Sequence, residues 1–262
     1  MSLSDKTISS TFKDIVIISN SNAGFDTNID QVKSGNGNGS SLYLSTNNFK
    51  VQPTADSTTN TSIYDKDGNI LFQIDSTNDN IRALGNHINN QYAYFGANYR
   101  SIDAFAANTH YPIPFSGSSG GASTNNDVDF GTGTDPDDSF TTSDDDTNYA
   151  AQIVPMMWRV PDNISIDTVT HIEGADAATG DTTRMHLKSF DFTSASTSCL
   201  TNGTLLAHNS DVTNAGNEQA YLSTWTVDSA SVTAGKVILC FFRSDSVNSD
   251  YSLNVIIKYH LT

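Results

Sequence analysis

Basic residues and glutamate are what this sequence has least of. Lysine and arginine number 13 against 29 acidic residues, giving a formal net charge of -16. Binding to nucleic acid needs clustered cations that displace counterions from phosphate, so the composition argues against that partner. Glutamate stands only at Glu173 and Glu218; every other acid is aspartate. Glutamate suits helix interiors and aspartate suits turns and caps, so the bias points to a strand-and-turn protein. Cys199 and Cys240 are the only cysteines. They allow one disulfide but no disulfide framework, and two buried thiols is the reading taken. No apolar run approaches the roughly 18 residues of a membrane span. The opening MSLSDKTISSTFKDIVIISN lacks a basic head followed by a long apolar stretch, so neither membrane insertion nor a secretion signal is expected.

Catalytic motifs are scarce too. His87, His110, His171, His186, His208 and His260 are scattered, without the HExxH or HxH spacing that gathers a transition metal. Each reads as an ordinary surface or core residue. Neither cysteine has an activating histidine nearby in sequence, and no serine reads as the strand-to-helix elbow of a hydrolase. Paired carboxylates for glycoside hydrolysis are not singled out among so many acids. Glu173 and Glu218 lie beside turn-like sequence and read as exposed, solubilising residues. The chain is therefore read as a non-enzyme with no assigned cofactor.

What is present is a texture of short strands. In QVKSGNGNGSSLYLSTNNFKV, residues 31–51, the glycines are followed by neither lysine nor helix, so a phosphate loop does not fit. A tight reversal between strands does. SIYDKDGNILFQIDS reads as a hairpin turning at Asp67-Gly68, and IRALGNHIN reads as a short helical turn from the spacing of Ile81, Leu84 and Ile88. These pieces hold too few apolar residues to close a core in one chain. Residues 1–115 are therefore expected to share a core with copies of themselves.

Residues 116–149 form an acidic linker or surface loop. Over 116–148 there are eight aspartates and no lysine or arginine. Asp135, Asp137, Asp138, Asp144, Asp145 and Asp146 supply the hard oxygens calcium prefers, but without the glycine and terminal glutamate of a calcium loop. A solvated acidic loop is the reading taken, with calcium as the alternative. From residue 150 to 262 the strands lengthen and alternate: QIVPMMWRV, ISIDTVTHI, TTRMHLKSFDF, TLLAH, AYLSTWTV, KVILCFFRS and YSLNVIIKYHL. Their number and spacing predict an antiparallel β-sandwich, best fitted by a jelly roll enclosing Trp158, Phe190, Trp225, Phe241 and Val255. Trp158 and Trp225 are also the candidates for glycan contact, set against core packing on alternating strands.

The run VKSGNGNGSSLYLSTNNFKV and the segment YDKDGNILFQID resemble units in tail-fibre and related virion appendage proteins of marine tailed bacteriophages. The detailed resemblance covers about residues 30–95; the remainder is similar only in architecture. It implies a virion location and a homotrimer. An intertwined, short-stranded N-terminal region would attach to other virion proteins, and a C-terminal sandwich would face a host surface glycan. A capsid-surface fibre or decoration protein is the alternative. From other classes, a carbohydrate-binding module and a polysaccharide-degrading enzyme stand behind it.

Overall fold

The computed structural model describes residues 16–18, 24–99, 106–115, 128–139, 141–142, 153–196 and 198–262. The protein is all-β, 56% strand and 2% helical. It divides into two compact units, Met1–Asn86 and His87–Thr262.

The first unit holds two antiparallel sheets, each running in chain order. One contains β1 (Val16–Ile18), β2 (Asp30–Ser34), β3 (Gly39–Leu44) and β4 (Phe49–Val51). The other contains β5 (Thr61–Tyr64), β6 (Ile70–Asp75), β7 (Asn80–Ala83) and β8 (Asn86–His87), at which the unit ends. The glycine-asparagine run is the turn between β2 and β3. Gly37 N–H donates to Ser34 O (2.8 Å) and Ser34 N–H to Asn38 O (2.9 Å). The Asp67-Gly68 hairpin forms as expected from sequence, with Asp65 Oδ1 accepting from the N–H of Asp67 (2.9 Å) and Asn69 (2.8 Å).

IRALGNHIN is not helical. Leu84 and Gly85 both take positive φ, 49° and 79°, which a right-handed helix forbids and a two-residue hairpin turn requires. The three-and-four spacing of Ile81, Leu84 and Ile88 arises from two short strands around that turn.

The second unit is a β-sandwich built from β9 (Asn90–Tyr99), β10 (Tyr111–Ile113), β11 (Val128–Asp129), β12 (Thr141–Thr142), β13 (Trp158–Arg159), β14 (Ile164–Asp176), β15 (Thr182–Phe192), β16 (Leu200–His208), β17 (Val212–Thr213), β18 (Glu218–Thr224), β19 (Thr226–Val227), β20 (Ser231–Val232), β21 (Val237–Ser244) and β22 (Asp250–Leu261). A seven-stranded sheet has the order β10-β21-β15-β16-β19, with β13 on β21 and β17 on β15. A five-stranded sheet has the order β18-β14-β22-β9, with β20 on β14. The alternation read in YSLNVIIKYHL holds: Tyr251, Leu253, Val255 and Ile257 are buried while Ser252 and Asn254 are exposed.

Two expected strands break. In QIVPMMWRV a short 3-10 turn, Val154–Met156, precedes β13, because Pro155 cannot donate to a ladder. In AYLSTWTV the chain leaves the five-stranded sheet after Thr224 and joins the seven-stranded sheet at Thr226, so Trp225 sits at the crossing.

The core has two layers. Trp158, Trp225 and Val255 lie in the main one, with Met185, Leu187, Ile238 and Phe242 from the seven-stranded sheet and Val169 and Ile257 from the five-stranded. Phe190 and Phe241, expected beside them, lie in the other layer with Val128, Phe130, Ile153 and Leu239. Both faces of β15 and β21 are thus covered, which explains why VILCFFRS is almost continuously apolar.

Part of the acidic stretch is consequently structure. Residues 128–139 cover the seven-stranded sheet, with Phe130 fully buried. The unit boundary falls at Asn86/His87 instead of near residue 115, because β9 and β10 pair with β22 and β21. Asp144, Asp145 and Asp146 lie outside the described residues. Cys199 and Cys240 are free, buried thiols, and burial raises the pKa of both.

Candidate functional site

The feature that most needs a partner is uncovered apolar surface. In the first unit Val32 is the only described apolar side chain that is buried. Val16, Phe49 (70% exposed), Ile63, Tyr64, Ile70, Leu71, Ile81 and Leu84 stand open to water. Leu42 and Leu44, after the glycine turn, are half-covered. Period-two strands normally bury one face, and here neither sheet does so within the chain. The outer face of the five-stranded sheet adds a second patch. Leu222 (76% exposed) is directly opposite Ile172, and Ile256 is opposite Tyr94 on the neighbouring pair of strands.

Inside the sandwich lies a polar chain that the sequence did not announce. Trp225 Nε1–H donates to His171 Nδ1 at 2.7 Å, so the ring's own proton sits on Nε2. That Nε2 lies 3.5 Å from Glu173 Oε2, too long for a good hydrogen bond but close enough for attraction. The Thr183 hydroxyl donates to Glu173, 2.9 and 2.8 Å from its two oxygens. Glu173, read from sequence as exposed, is 1% exposed. The turn-like GADAATGD that suggested exposure begins only at the end of β14, and strand alternation places Glu173 inward beside His171 and Ala175. Glu218 is exposed, as expected.

A second cluster lies under the covering segment. His186 is fully buried, its ring centroid 5.0 Å from His110 and 6.3 Å from His208. Burial, then the neighbouring His110, holds the His186 pKa down at about 2. Burial likewise holds His110 at about 4, although its Nδ1–H donates to Gly131 O at 3.1 Å. Asp135 Oδ1 comes to 3.4 Å from His186 Nε2. Lys188, buried between strands, donates to Pro136 O (2.5 Å) and Asp138 Oδ1 (2.7 Å). Asp135 and Asp138, weighed as calcium ligands, therefore face cationic or imidazole groups, and no set of three carboxylates converges among the described residues.

One group does converge. Donor atoms of His87, Asp167 and His260 all lie within 4.8 Å of one another. A sequence scan misses it because the three residues come from β8, β14 and β22, without motif spacing.

Trp158 and Trp225 do not present ring faces for a sugar. Trp158 stacks on Phe115 (5.8 Å, 6° between planes) and packs against Tyr259, and Trp225 is occupied by His171. The edge of Trp158 lines only a small cavity of about 210 Å³, shared with Gln91, Pro161 and Tyr259. A cleft of about 730 Å³ opens at one end of the sandwich among Asn98, Asp176, Glu218, Gln219 and Asp250. No helix among the described residues is long and apolar enough to cross a membrane. No protein-family model matches the chain, and no curated protein matches it significantly.

Proposed function

We propose that this protein is a virion structural protein, a homotrimeric tail-fibre-like appendage that presents its C-terminal sandwich to a host surface. The observation that carries the reading is the first unit, whose two sheets leave their apolar side chains uncovered in a single chain. A β-structure without a core of its own is stabilised by association, and copies of the same chain supply matching faces. The open Leu222, Ile172 and Tyr94 face extends the same need to the second unit. The assignment to a virion rests on the resemblance of residues 30–95 to phage appendage segments. A jelly-roll description of the sandwich draws support from its connections. From β17 onward, each successive strand crosses to the opposite sheet.

Multi-angle light scattering of the full chain at micromolar concentration tests the association. A mass of three chains is expected, and a stable monomer would overturn the reading. Immunogold labelling of intact particles then distinguishes a tail appendage from a capsid-surface fibre. A second reading, glycan binding by the sandwich, is favoured by the polar cleft lined by Asn98, Gln219 and three carboxylates, groups that hydrogen-bond sugar hydroxyls. A glycan array with no saturable ligand would remove it.

A further inference from the structure

We infer that His87, Asp167 and His260 form a binding site for one divalent transition-metal ion per chain. By the division at Asn86/His87 all three fall within His87–Thr262, His87 as its first residue and the end of β8. Three observations carry it.

The first is convergence. Residues far apart in sequence bring two imidazoles and a carboxylate within 4.8 Å, with His260 Nδ1 2.9 Å from Asp167 Oδ1. A four-coordinate ion about 2.0–2.2 Å from each donor sets its ligands about 3.4 Å apart, between those two distances.

The second is the backbone. Ile166 pairs with Tyr259 and Thr168 pairs with Lys258, so Asp167 is the extra residue of a β-bulge. A bulge re-aims the side chain it carries, and this one turns the Asp167 carboxylate to His260.

The third is an incomplete polar group. Asp167 Oδ2 is shielded from water and has no hydrogen-bond partner among the described residues. A shielded carboxylate oxygen of that kind is costly unless something cationic or hydrogen-donating reaches it.

The stacking of His87 on His260, with centroids 3.7 Å apart and planes 7° apart, holds the two rings face to face. Ring lone pairs lie in the ring planes, so ion entry requires the rings to splay, which their half-buried setting permits. The donor set is two nitrogens and one oxygen, which suits Zn²⁺, Co²⁺ or Ni²⁺ and not the all-oxygen shells of Ca²⁺ or Mg²⁺. Three protein donors leave a position for water. The ion would tie His87 to β14 and β22, two strands that already pair with each other, and so add a link that backbone pairing does not supply.

The test uses the untagged full chain, stripped with a chelator and titrated with ZnCl₂ and, separately, CoCl₂. Expected are one tightly bound ion per chain, visible Co²⁺ absorption bands of a nitrogen-oxygen site, and a Tm rise of about 5 °C at a hundredfold excess over Kd. Asp167→Asn keeps the shape of the side chain and His260→Gln keeps a polar one; each is expected to weaken binding more than tenfold while far-ultraviolet circular dichroism is unchanged. Absence of saturable 1:1 binding to the wild-type chain would overturn the site, whether or not the variants fold. So would equal affinity in wild type and a folded Asp167→Asn.

Discussion

The Glu173 carboxylate receives the Thr183 hydroxyl and faces His171, whose other nitrogen accepts from Trp225, and all four residues are buried in the sandwich. Removing one member strands the others. Glu173→Ala is expected to cost about 3 kcal/mol, from a cavity and an unsatisfied hydroxyl together. Replacing both ends, Glu173→Leu with Thr183→Val, should cost less than the sum of the two single changes, because the Thr183 hydroxyl is then not left orphaned. Urea denaturation of the wild type and these four variants measures both statements. The second cluster sets a pH dependence. His186 and His110 have folded pKa values of about 2 and about 4, below the usual 6.5. A lowered folded pKa means the unfolded chain binds the proton first, so stability is full above about pH 6.5 and falls as pH drops toward those values. The loss should approach roughly 1.4 kcal/mol per pH unit per histidine. Urea midpoints at pH 7.5 and 5.0 are expected to differ, and His186→Phe should reduce the difference.

At the scale of the element, the covering segment 128–139 is the piece most exposed to test. Its Asp138 O accepts from Gly203 N–H at 3.1 Å, and a Cβ on Gly203 would lie 2.8 Å from Asp138 Cα and 2.9 Å from Phe190 Cε1. Neither a backbone atom nor a buried ring gives way cheaply. Gly203→Ala should therefore lift the segment from β16, cost on the order of 1–3 kcal/mol and raise hydrogen exchange across residues 130–138. Unchanged exchange would show that the segment is held elsewhere. This element was not legible as structure in the sequence. Its aspartates look like a solvated run, and only burial shows Lys188 and His186 beneath them. The β5–β6 hairpin was legible, because Asp65 and Gly68 fix its turn through local bonds that need no tertiary partner.

For the whole molecule, the two units should behave differently when separated. Residues 87–262 contain both core layers and are expected to fold alone with a cooperative thermal transition. Among the described residues of 1–86 there is no comparable core, and this unit is expected to fold only when associated, with a Tm that rises with protein concentration. Within the full chain, Leu222→Asp places a charge on the open face of the five-stranded sheet. If that face is an interface, the apparent mass in light scattering should fall at low micromolar concentration while the circular dichroism spectrum stays the same.

The sequence by itself determined the all-β class, the alternation of the long C-terminal strands and the turns at the glycine-asparagine run and Asp67-Gly68. Those properties follow from backbone propensity and from neighbours within a few residues, which a linear string records. Tertiary structure alone decided that Glu173 is buried, that Phe190 and Phe241 belong to a separate layer, and that part of the acidic stretch is a cover. It also decided that His87, Asp167 and His260 meet. Each of these depends on strand pairing between distant segments, or on which face a sheet turns to its neighbour, and neither is written in local spacing.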